Sequence, residues 1–162
     1  MFYLDLLAAL DRFGVRYVLV GGLALNLHGV ERATMDVDLA VALDSENLLS
    51  LIEAAKALGL VPIAPIRIED IADPAMRSAW IATKHLIAVG LRSSTPGRPT
   101  VGVLVVETVP FESLYLRREV RQVSGVAVHV VSIDDLIAMK RAAGRQQDLA
   151  DIRALEQVKQ IK

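Results

Sequence analysis

Cysteine is absent from this chain of 162 residues. Its absence excludes disulfide frameworks, thiol nucleophiles, cysteine-bound zinc and iron–sulfur clusters. A chain without cysteine is also consistent with the reducing cytoplasm, and a cytoplasmic location is what we expect. We expect no secretory leader, because the first residues include no basic segment and because Asp5 and Asp11 interrupt their apolar pattern.

Long hydrophobic runs and an excess of one charge are missing as well. The longest apolar run, from Tyr17 to Leu25, is far shorter than the roughly 20 residues that cross a membrane, so we expect no membrane partner. Lys and Arg number 18 against 19 Asp and Glu, which argues against a protein built mainly for non-specific binding to nucleic acid. Aromatic residues make up 4% and hydrophobic residues 53%, so Ala, Val, Leu and Ile supply a large core and disorder is excluded.

Apolar periodicity alternates between helical and strand spacing along the chain. The pattern predicts helices with stop or cap residues, and short β-rich runs between them. Predicted helices cover 2–14, 23–28, 45–58 (capped by Ser45), 74–82, 110–117, 132–143 (capped by Ser132) and 146–161. Predicted strands cover 16–20, 36–43, 84–91, 100–106, 119–123 and 126–131. The fold class is therefore α/β (α+β): a mixed sheet with flanking helices over about 1–131 and a helical end over about 132–162, in one domain of residues 1–162.

The richest chemistry follows the first predicted strand. Gly21 and Gly22 end that strand and lead into a helix, an arrangement that lets an anion such as phosphate approach the backbone. Asp36 and Asp38 then alternate on a second strand, so their carboxylates share a face about 6–7 Å apart. Paired carboxylates suit Mg²⁺, which takes oxygen ligands and bridges to substrate phosphates. Together these features indicate phosphoryl or nucleotidyl transfer.

Each element alone is also typical of something simpler. A glycine pair is commonly a plain turn, and two alternating aspartates are commonly the solvent face of an edge strand. The glycine motifs of P-loop and Rossmann proteins are both absent from the sequence. The interpretation therefore depends on the order and the spacing, in which 13 residues separate Gly22 from Asp36.

This stretch resembles the signature of the polymerase-β-like nucleotidyltransferase superfamily, with His28-Gly29 and Arg32 between the two motifs. Within the superfamily, it is similar to small bacterial toxin-type members related to AbiEii. The similarity extends to 133–141, which resembles their lysine-bearing helix, and to 144–152, which resembles the D-x-x-D helix that follows.

The resemblance implies a mixed sheet with flanking helices and Mg²⁺-dependent transfer of a nucleoside monophosphate from a nucleoside triphosphate to an acceptor hydroxyl. The implied catalytic residues are Asp36, Asp38, Lys140 and Asp148, with Mg²⁺ held by Asp36 and Asp38. The implied nucleotide-binding residues are Gly21 and Gly22. From their position, Arg32 and Lys84 are further expected phosphate contacts. Many members of this superfamily have serine at the position of Gly22, which here offers only its backbone amide.

One position departs from the family pattern. The family's third carboxylate is expected on the strand around 100–106, where this chain has Gly102. Glu107 cannot replace it, because residues 102, 104 and 106 share one strand face and residue 107 points to the other. The site therefore has two carboxylates, and the loss of a general base typically lowers a rate by about 10²–10⁴.

Three functions follow as alternatives. The first is a nucleotidyltransferase acting on tRNA or protein, the toxin of a toxin–antitoxin pair that binds a cognate antitoxin or forms a homo-oligomer. The second is a small-molecule nucleotidyltransferase that modifies antibiotics. The third is a catalytically inactive nucleotide-binding or scaffold module, which Gly102 favours. The sequence does not discriminate between the acceptors.

Overall fold

Helices and strands alternate along the chain and build one mixed sheet. This computed structural model describes residues 2–34 and 36–161, and within them the sheet has seven strands. The strands are β1 (Tyr17–Val20), β2 (Val37–Val41), β3 (Leu60–Pro62), β4 (Ala88–Ser93), β5 (Val101–Leu104), β6 (Glu119–Val123) and β7 (Val126–Val130). The helices are α1 (Phe2–Arg12), α2 (Gly21–Leu27), α3 (Ser45–Ala57), α4 (Pro74–Lys84), α5 (Phe111–Leu116), α6 (Ile133–Ala143) and α7 (Gln146–Ile161), with a 3-10 helix at Ile68–Ala72. The α+β class and the helical end agree with the sequence prediction.

The strand order is β3-β4-β5-β2-β1-β7-β6. At its centre, β1 pairs antiparallel with β2, which pairs parallel with β5. The register places Val20 opposite Asp38, and Asp38 opposite Gly102. The strand that precedes the glycine pair, the aspartate strand and the strand with the missing carboxylate are therefore direct neighbours.

The core lies on both sides of β1. All four residues of this strand are buried, and Val18 and Leu19 have no exposed surface, as a strand covered on both faces requires. The helix α1 packs against β7 and α3, burying Leu6 and Leu10. None of the helices in the described ranges is long and apolar enough to span a membrane.

A buried asparagine joins α3 to the ends of β1 and β2. The Asn47 side chain accepts a hydrogen bond from the Arg16 amide at 2.7 Å and donates to the carbonyls of Arg16 and Ala42 at 3.0 and 2.8 Å. Asn47 is 5% exposed, so its hydrogen bonds take the place of water at Arg16, just before β1, and at Ala42, just after β2. The helix is thereby fixed in position and orientation over the sheet.

The structure corrects the predicted strand over 84–91. Lys84 belongs to α4, which continues past Ala82 and ends at His85 in the left-handed conformation, with φ at 51°. The strand β4 starts only at Ala88. Buried Trp80 explains the longer helix, because it anchors the last turns of α4 and its carbonyl accepts a hydrogen bond from the capping amide.

Three other boundaries differ from the prediction. The helix α2 starts at Gly21, two residues before the predicted start at Leu23. The cap of α3 is Asp44, whose carboxylate accepts from the Asn47 amide, and Ser45 is the first helical residue. The edge strand β3 was not predicted, because its three residues are too few for a period of two.

We predict that Asn47→Ala destabilises the fold strongly. The substitution leaves the buried Arg16 amide and the Ala42 carbonyl without their partner, and each orphaned group costs about 1–3 kcal/mol. Urea unfolding should show a loss of about 2–4 kcal/mol. The control is Glu53→Ala on the exposed face of α3, for which a change within about 0.5 kcal/mol is expected. An Asn47→Ala variant as stable as this control would contradict the anchoring role.

Candidate active site

The Asp38 carboxylate lies between two glycines. A Cβ at Gly102 would lie 2.8 Å from Asp38 Oδ1, and a Cβ at Gly21 would overlap Asp38 Oδ2. Gly21 also has φ at +71°, a conformation that favours glycine. Gly21 is therefore needed to make room for this carboxylate, whereas a side chain at residue 102 requires the Asp38 carboxylate to rotate.

This carboxylate has no protein partner within the described ranges, where no side chain or amide donates to it or forms an ion pair with it. The pKa of Asp38 is raised, mainly because it is largely buried and further because of the like charge of Asp36. Lys140 and Arg145 oppose that rise. A desolvated carboxylate near cations that it does not contact is well placed to receive a cationic ligand.

The other carboxylate of the pair is more open. Asp36 precedes β2 and is exposed, whereas Asp38 on the strand is half-buried. Asp36 lies two residues before Asp38, and its like charge adds to the effect of burial on the pKa of Asp38. Within 2–34 and 36–161, no group of three or more His, Cys, Asp or Glu side chains could hold a metal ion. A site here has two carboxylates.

A buried aspartate holds two cations beside the site. Asp148 has no exposed surface and accepts hydrogen bonds from the Arg145 side chain at 2.8 and 3.2 Å and from its amide at 3.0 Å. Lys140 Nζ contacts the same carboxylate at 3.3 Å. The Arg145 side-chain bonds are the main reason that the pKa of Asp148 is lowered. Asp148 therefore stays ionised and fixes both cations.

A second aspartate on α7 extends this network to the loop before β2. Asp151 Oδ2 lies 3.1 Å from Lys140 Nζ and also forms an ion pair with Arg32. Lys140 thus lies between Asp148 and Asp151, with 10% of its side chain exposed. Through these two aspartates, α7 therefore positions both Lys140 of α6 and Arg32 of the loop.

These elements surround one cleft of about 370 Å³. Asp38 and Gly21 lie on its sheet side, and Lys140, Arg145 and Asp148 come from α6 and α7. The other lining residues are Val20, Ile87, Leu104, Val106, Thr108, Leu136, Met139 and Ala143. The cleft therefore combines a carboxylate, two cations and an apolar wall, which is a typical composition for a ligand site.

Some predicted site residues lie outside this lining. Lys84 is exposed at the end of α4. The predicted residues that do not line the cleft are Lys84, Gly22, Arg32 and Asp36. A Cβ at Gly22 would lie 2.7 Å from the Thr34 hydroxyl, so Thr34 fills the space over this glycine. Glu107 is exposed and does not line the cleft either; it lies beyond β5, which ends at Leu104 and not at the predicted residue 106.

Sequence reasoning missed Arg145 as a site residue. Its side chain is 63% exposed and lines the cleft, while Asp148 fixes its guanidinium. The signal was present, because Gly144 ends α6 in the left-handed conformation and Arg145 lies directly between the two helices. An arginine three residues before a buried aspartate lies within one helical turn of it and can donate to its carboxylate.

The fold is shared with solved nucleotidyltransferases. ANT(2")-Ia in complex with adenylyl-2"-tobramycin is 15% identical, with a TM-score of 0.59 and coverage of 98% of this chain and 91% of that one. The lincosamide antibiotic adenylyltransferase LnuA, lincomycin-bound, is 13% identical, with a TM-score of 0.61 and coverage of 97% and 94%. An antigenic nucleotidyltransferase-like protein from Paracoccidioides brasiliensis is 21% identical, with a TM-score of 0.53 and coverage of 93% and 71%. These likenesses show that the chain has the fold of these nucleotidyltransferases.

The family follows from the sequence match. The model of the nucleotidyl transferase AbiEii toxin family, type IV toxin–antitoxin system, matches residues 5–161. The chain therefore belongs to the AbiEii nucleotidyltransferase family. No curated protein sequence matches the chain.

We predict that Asp148→Asn destabilises the fold by about 3 kcal/mol, because it leaves Lys140 and Arg145 beside a neutral amide in a buried position. The lowered pKa sets the pH dependence: the Asp148 carboxylate contributes stability above its unfolded value of 3.8 and loses it as the pH falls through the lower folded value. In urea unfolding, the difference between wild type and variant should be constant from pH 7 to 5 and narrow only below about pH 3.8.

Asp134→Asn is the matched control, since Asp134 lies on α6 with 73% of its side chain exposed. It should change stability by less than about 1 kcal/mol. Equal losses in the two variants would refute the role of Asp148 in holding the cations.

Proposed function

We propose that this chain is a Mg²⁺-dependent nucleotidyltransferase that moves a nucleoside monophosphate from a nucleoside triphosphate to an acceptor hydroxyl. The main supporting observation is the Asp38 carboxylate, which lacks a protein partner and lies in the same cleft as Lys140 and Arg145. A carboxylate for a metal and two cations for phosphates are what nucleotidyl transfer requires.

The donor set fits Mg²⁺ when a nucleotide is present. Asp36 and Asp38 supply hard oxygen ligands, and Mg²⁺ commonly completes its coordination with water and phosphate oxygens. When bound, the ion would neutralise charge on the phosphates and polarise the α-phosphorus. Its positive charge would also oppose the two causes of the raised pKa of Asp38, which are first its burial and then the like charge of Asp36.

The chain's own residues then have distinct roles. Lys140 and Arg145 would bind the triphosphate, and Asp148 would keep both side chains oriented before substrate arrives. Gly21, which lines the cleft, would let the triphosphate approach the turn between β1 and α2, whereas Thr34 fills the space over Gly22. Arg32 would contribute a further cation from the loop, positioned by Asp151. Such preorganised charges contribute most where water is excluded.

In the proposed reaction, the acceptor oxygen attacks the α-phosphorus as the bond to the β-phosphate oxygen breaks and pyrophosphate leaves. The hydroxyl proton must go to a base. Because residue 102 is glycine and Asp148 is already paired with Lys140 and Arg145, water or Asp38 is the proton acceptor left among the described residues that line this cleft. The expected rate is therefore low, since a positioned base is worth about 10²–10⁴.

For the acceptor and the biological role, we propose tRNA or protein and the toxin half of a toxin–antitoxin pair, with a cognate antitoxin as partner. The support is the family match over residues 5–161. A small-molecule hydroxyl is the second candidate, because two antibiotic adenylyltransferases align with this chain over 91% and 94% of their own lengths. Gly102 favours a third possibility, nucleotide binding without transfer.

We predict that Asp38→Asn abolishes transfer. The purified protein is incubated with Mg²⁺, each α-labelled nucleoside triphosphate and separate acceptors: tRNA, total protein, tobramycin and lincomycin. Wild type should label one acceptor class, and the variant should lower that rate by about 10² or more. Asp5→Asn, an exposed position on α1, serves as the control and should retain the wild-type rate.

The acceptor that becomes labelled decides between the candidates. Growth arrest on expression that Asp38→Asn relieves supports the toxin role. Nucleotide binding with no labelled acceptor supports the binding module. Equal labelling by wild type and Asp38→Asn would refute the site.

We also predict that Gly102→Asp increases transfer and makes the protein sensitive to Mg²⁺. The new Cβ would lie 2.8 Å from Asp38 Oδ1, so the Asp38 side chain must rotate and two carboxylates face each other. Without Mg²⁺, their repulsion should lower Tm; with Mg²⁺ and nucleotide, Tm should recover and the rate should rise about tenfold or more. Gly102→Asn has the same shape without the charge, and should show neither Mg²⁺ recovery nor a faster rate. A Gly102→Asp variant that behaves like Gly102→Asn would contradict the two-carboxylate assignment.

A further inference from the structure

His28 is a buried titratable residue that the proposed reaction does not use. It ends α2, where its amide donates to the carbonyls of Ala24 and Leu25 at 3.0 and 3.1 Å. Its imidazole has no exposed surface and does not line the cleft. Buried polar groups are costly unless they are hydrogen-bonded. Any effect of His28 on the cleft must therefore pass through the residues that its ring contacts.

Both ring nitrogens of His28 have protein partners. Nε2 lies 2.6 Å from the Val131 carbonyl oxygen, which only accepts, so Nε2 carries a proton. Nδ1 lies 3.3 Å from Arg121 Nη2, which only donates, so Nδ1 is the acceptor. Arg121 also donates to the Leu27 carbonyl and to Glu119 Oε1, whereas Glu119 Oε2 is 3.7 Å from Nδ1. The contacts therefore select the neutral imidazole with its proton on Nε2.

The Val131 carbonyl lies just before the lysine-bearing helix α6. Val131 follows β7, and its own amide donates to the Leu19 carbonyl of β1 at 3.0 Å. The next residue, Ser132, caps α6 by accepting from the Asp135 amide at 3.1 Å. Contacts at the residue before a helix cap fix the direction in which the helix begins. His28 therefore helps to fix the start of α6.

The same hydrogen bond connects the two sides of the cleft. Gly21 is at the other end of the seven-residue α2 and lines the cleft from the sheet side. Lys140 lines the cleft from α6. Packed helices transmit a displacement from one end to the other. The path from Gly21 to Lys140 therefore runs through α2, the bond between His28 and Val131, and α6.

We propose that His28 is a positioning residue, which sets the distance between the Gly21 turn and Lys140 and thereby the affinity of the cleft for polyphosphate. This inference rests on the proposed function, in which Lys140 binds the triphosphate. The bond from Nε2 to Val131 holds the start of α6 against the end of α2. Without it, α6 is free to shift, and a cation that is displaced by a fraction of an ångström loses part of its interaction with phosphate.

The first experiment measures Kd for inorganic tripolyphosphate with Mg²⁺ by calorimetry, at a temperature at which circular dichroism shows each variant to be folded. His28→Leu removes both ring nitrogens and should weaken binding about fivefold or more, the equivalent of one hydrogen bond. His28→Gln keeps a donor near the position of Nε2 and should restore Kd to within about twofold of wild type. His28→Asn is too short to reach Val131 and should bind like His28→Leu.

A second variant changes the network without emptying a buried position. Arg121 is 30% exposed, so Arg121→Met should fold even if His28→Leu does not. It removes the donor to Nδ1, which fixes the tautomer. In histidine ¹⁵N–¹H correlation spectra, wild type should show His28 protonated on Nε2 alone, and Arg121→Met should lose that signature and weaken tripolyphosphate about twofold or more. Arg12→Met, at an exposed arginine of α1, is the control and should change neither measurement.

Two comparisons separate positioning from a general loss of stability. Asn47→Ala is predicted above to destabilise the fold at a place that is not on this path, so its folded form should keep the wild-type Kd. In a Lys140→Gln background, His28→Leu should cause no further loss of affinity, because the residue through which it acts is already changed. A purely structural role would instead give additive losses.

The outcomes distinguish this inference from the proposed function. A folded His28→Leu variant with the wild-type Kd would overturn the positioning role, as would additive losses with Lys140→Gln or no recovery in His28→Gln. If His28→Leu does not fold, Arg121→Met decides, and a lost tautomer signature with an unchanged Kd would overturn the role. Wild-type protein that does not bind tripolyphosphate would refute the proposed function itself.

Discussion

The candidate site depends on one buried charge. Asp148 has no exposed surface, yet it binds the side chain and the amide of Arg145 and the ammonium of Lys140. A carboxylate removed from water is costly unless its partners are arranged around it, so the fold must bring α6 and α7 together at this point. The same arrangement presents the two cations to the cleft. At this position the stability of the fold and the proposed binding of substrate phosphates therefore depend on the same contacts.

The sheet side of the site could be predicted from sequence because its geometry is local. Strand periodicity places Asp38 on the second strand without knowledge of the rest of the fold. The register that sets Gly102 opposite Asp38 then follows once the two strands pair. The fold class was predicted for the same reason, since helical and strand spacing are both properties of short segments.

The helical side could not be predicted in the same way. Lys140 and Asp148 are on different helices, and Arg32 meets Asp151 from a loop more than a hundred residues earlier. Such contacts depend on how helices dock, which periodicity does not specify. Lys84 shows the opposite error: β-rich residues from Leu86 onward suggested an early strand start, whereas buried Trp80 extends α4 through Lys84.

The ion pair between Arg32 and Asp151 has a consequence for the order in which the protein is made. Arg32 and Asp36 are in the first quarter of the chain, whereas Asp151 is on α7, the last helix described. During synthesis the sheet residues leave the ribosome long before α7 can dock on them. Until that helix arrives, Lys140, Arg145 and Arg32 lack the partners that orient them. The charged side of the cleft is therefore assembled only after α7 has been synthesised and has docked on the sheet.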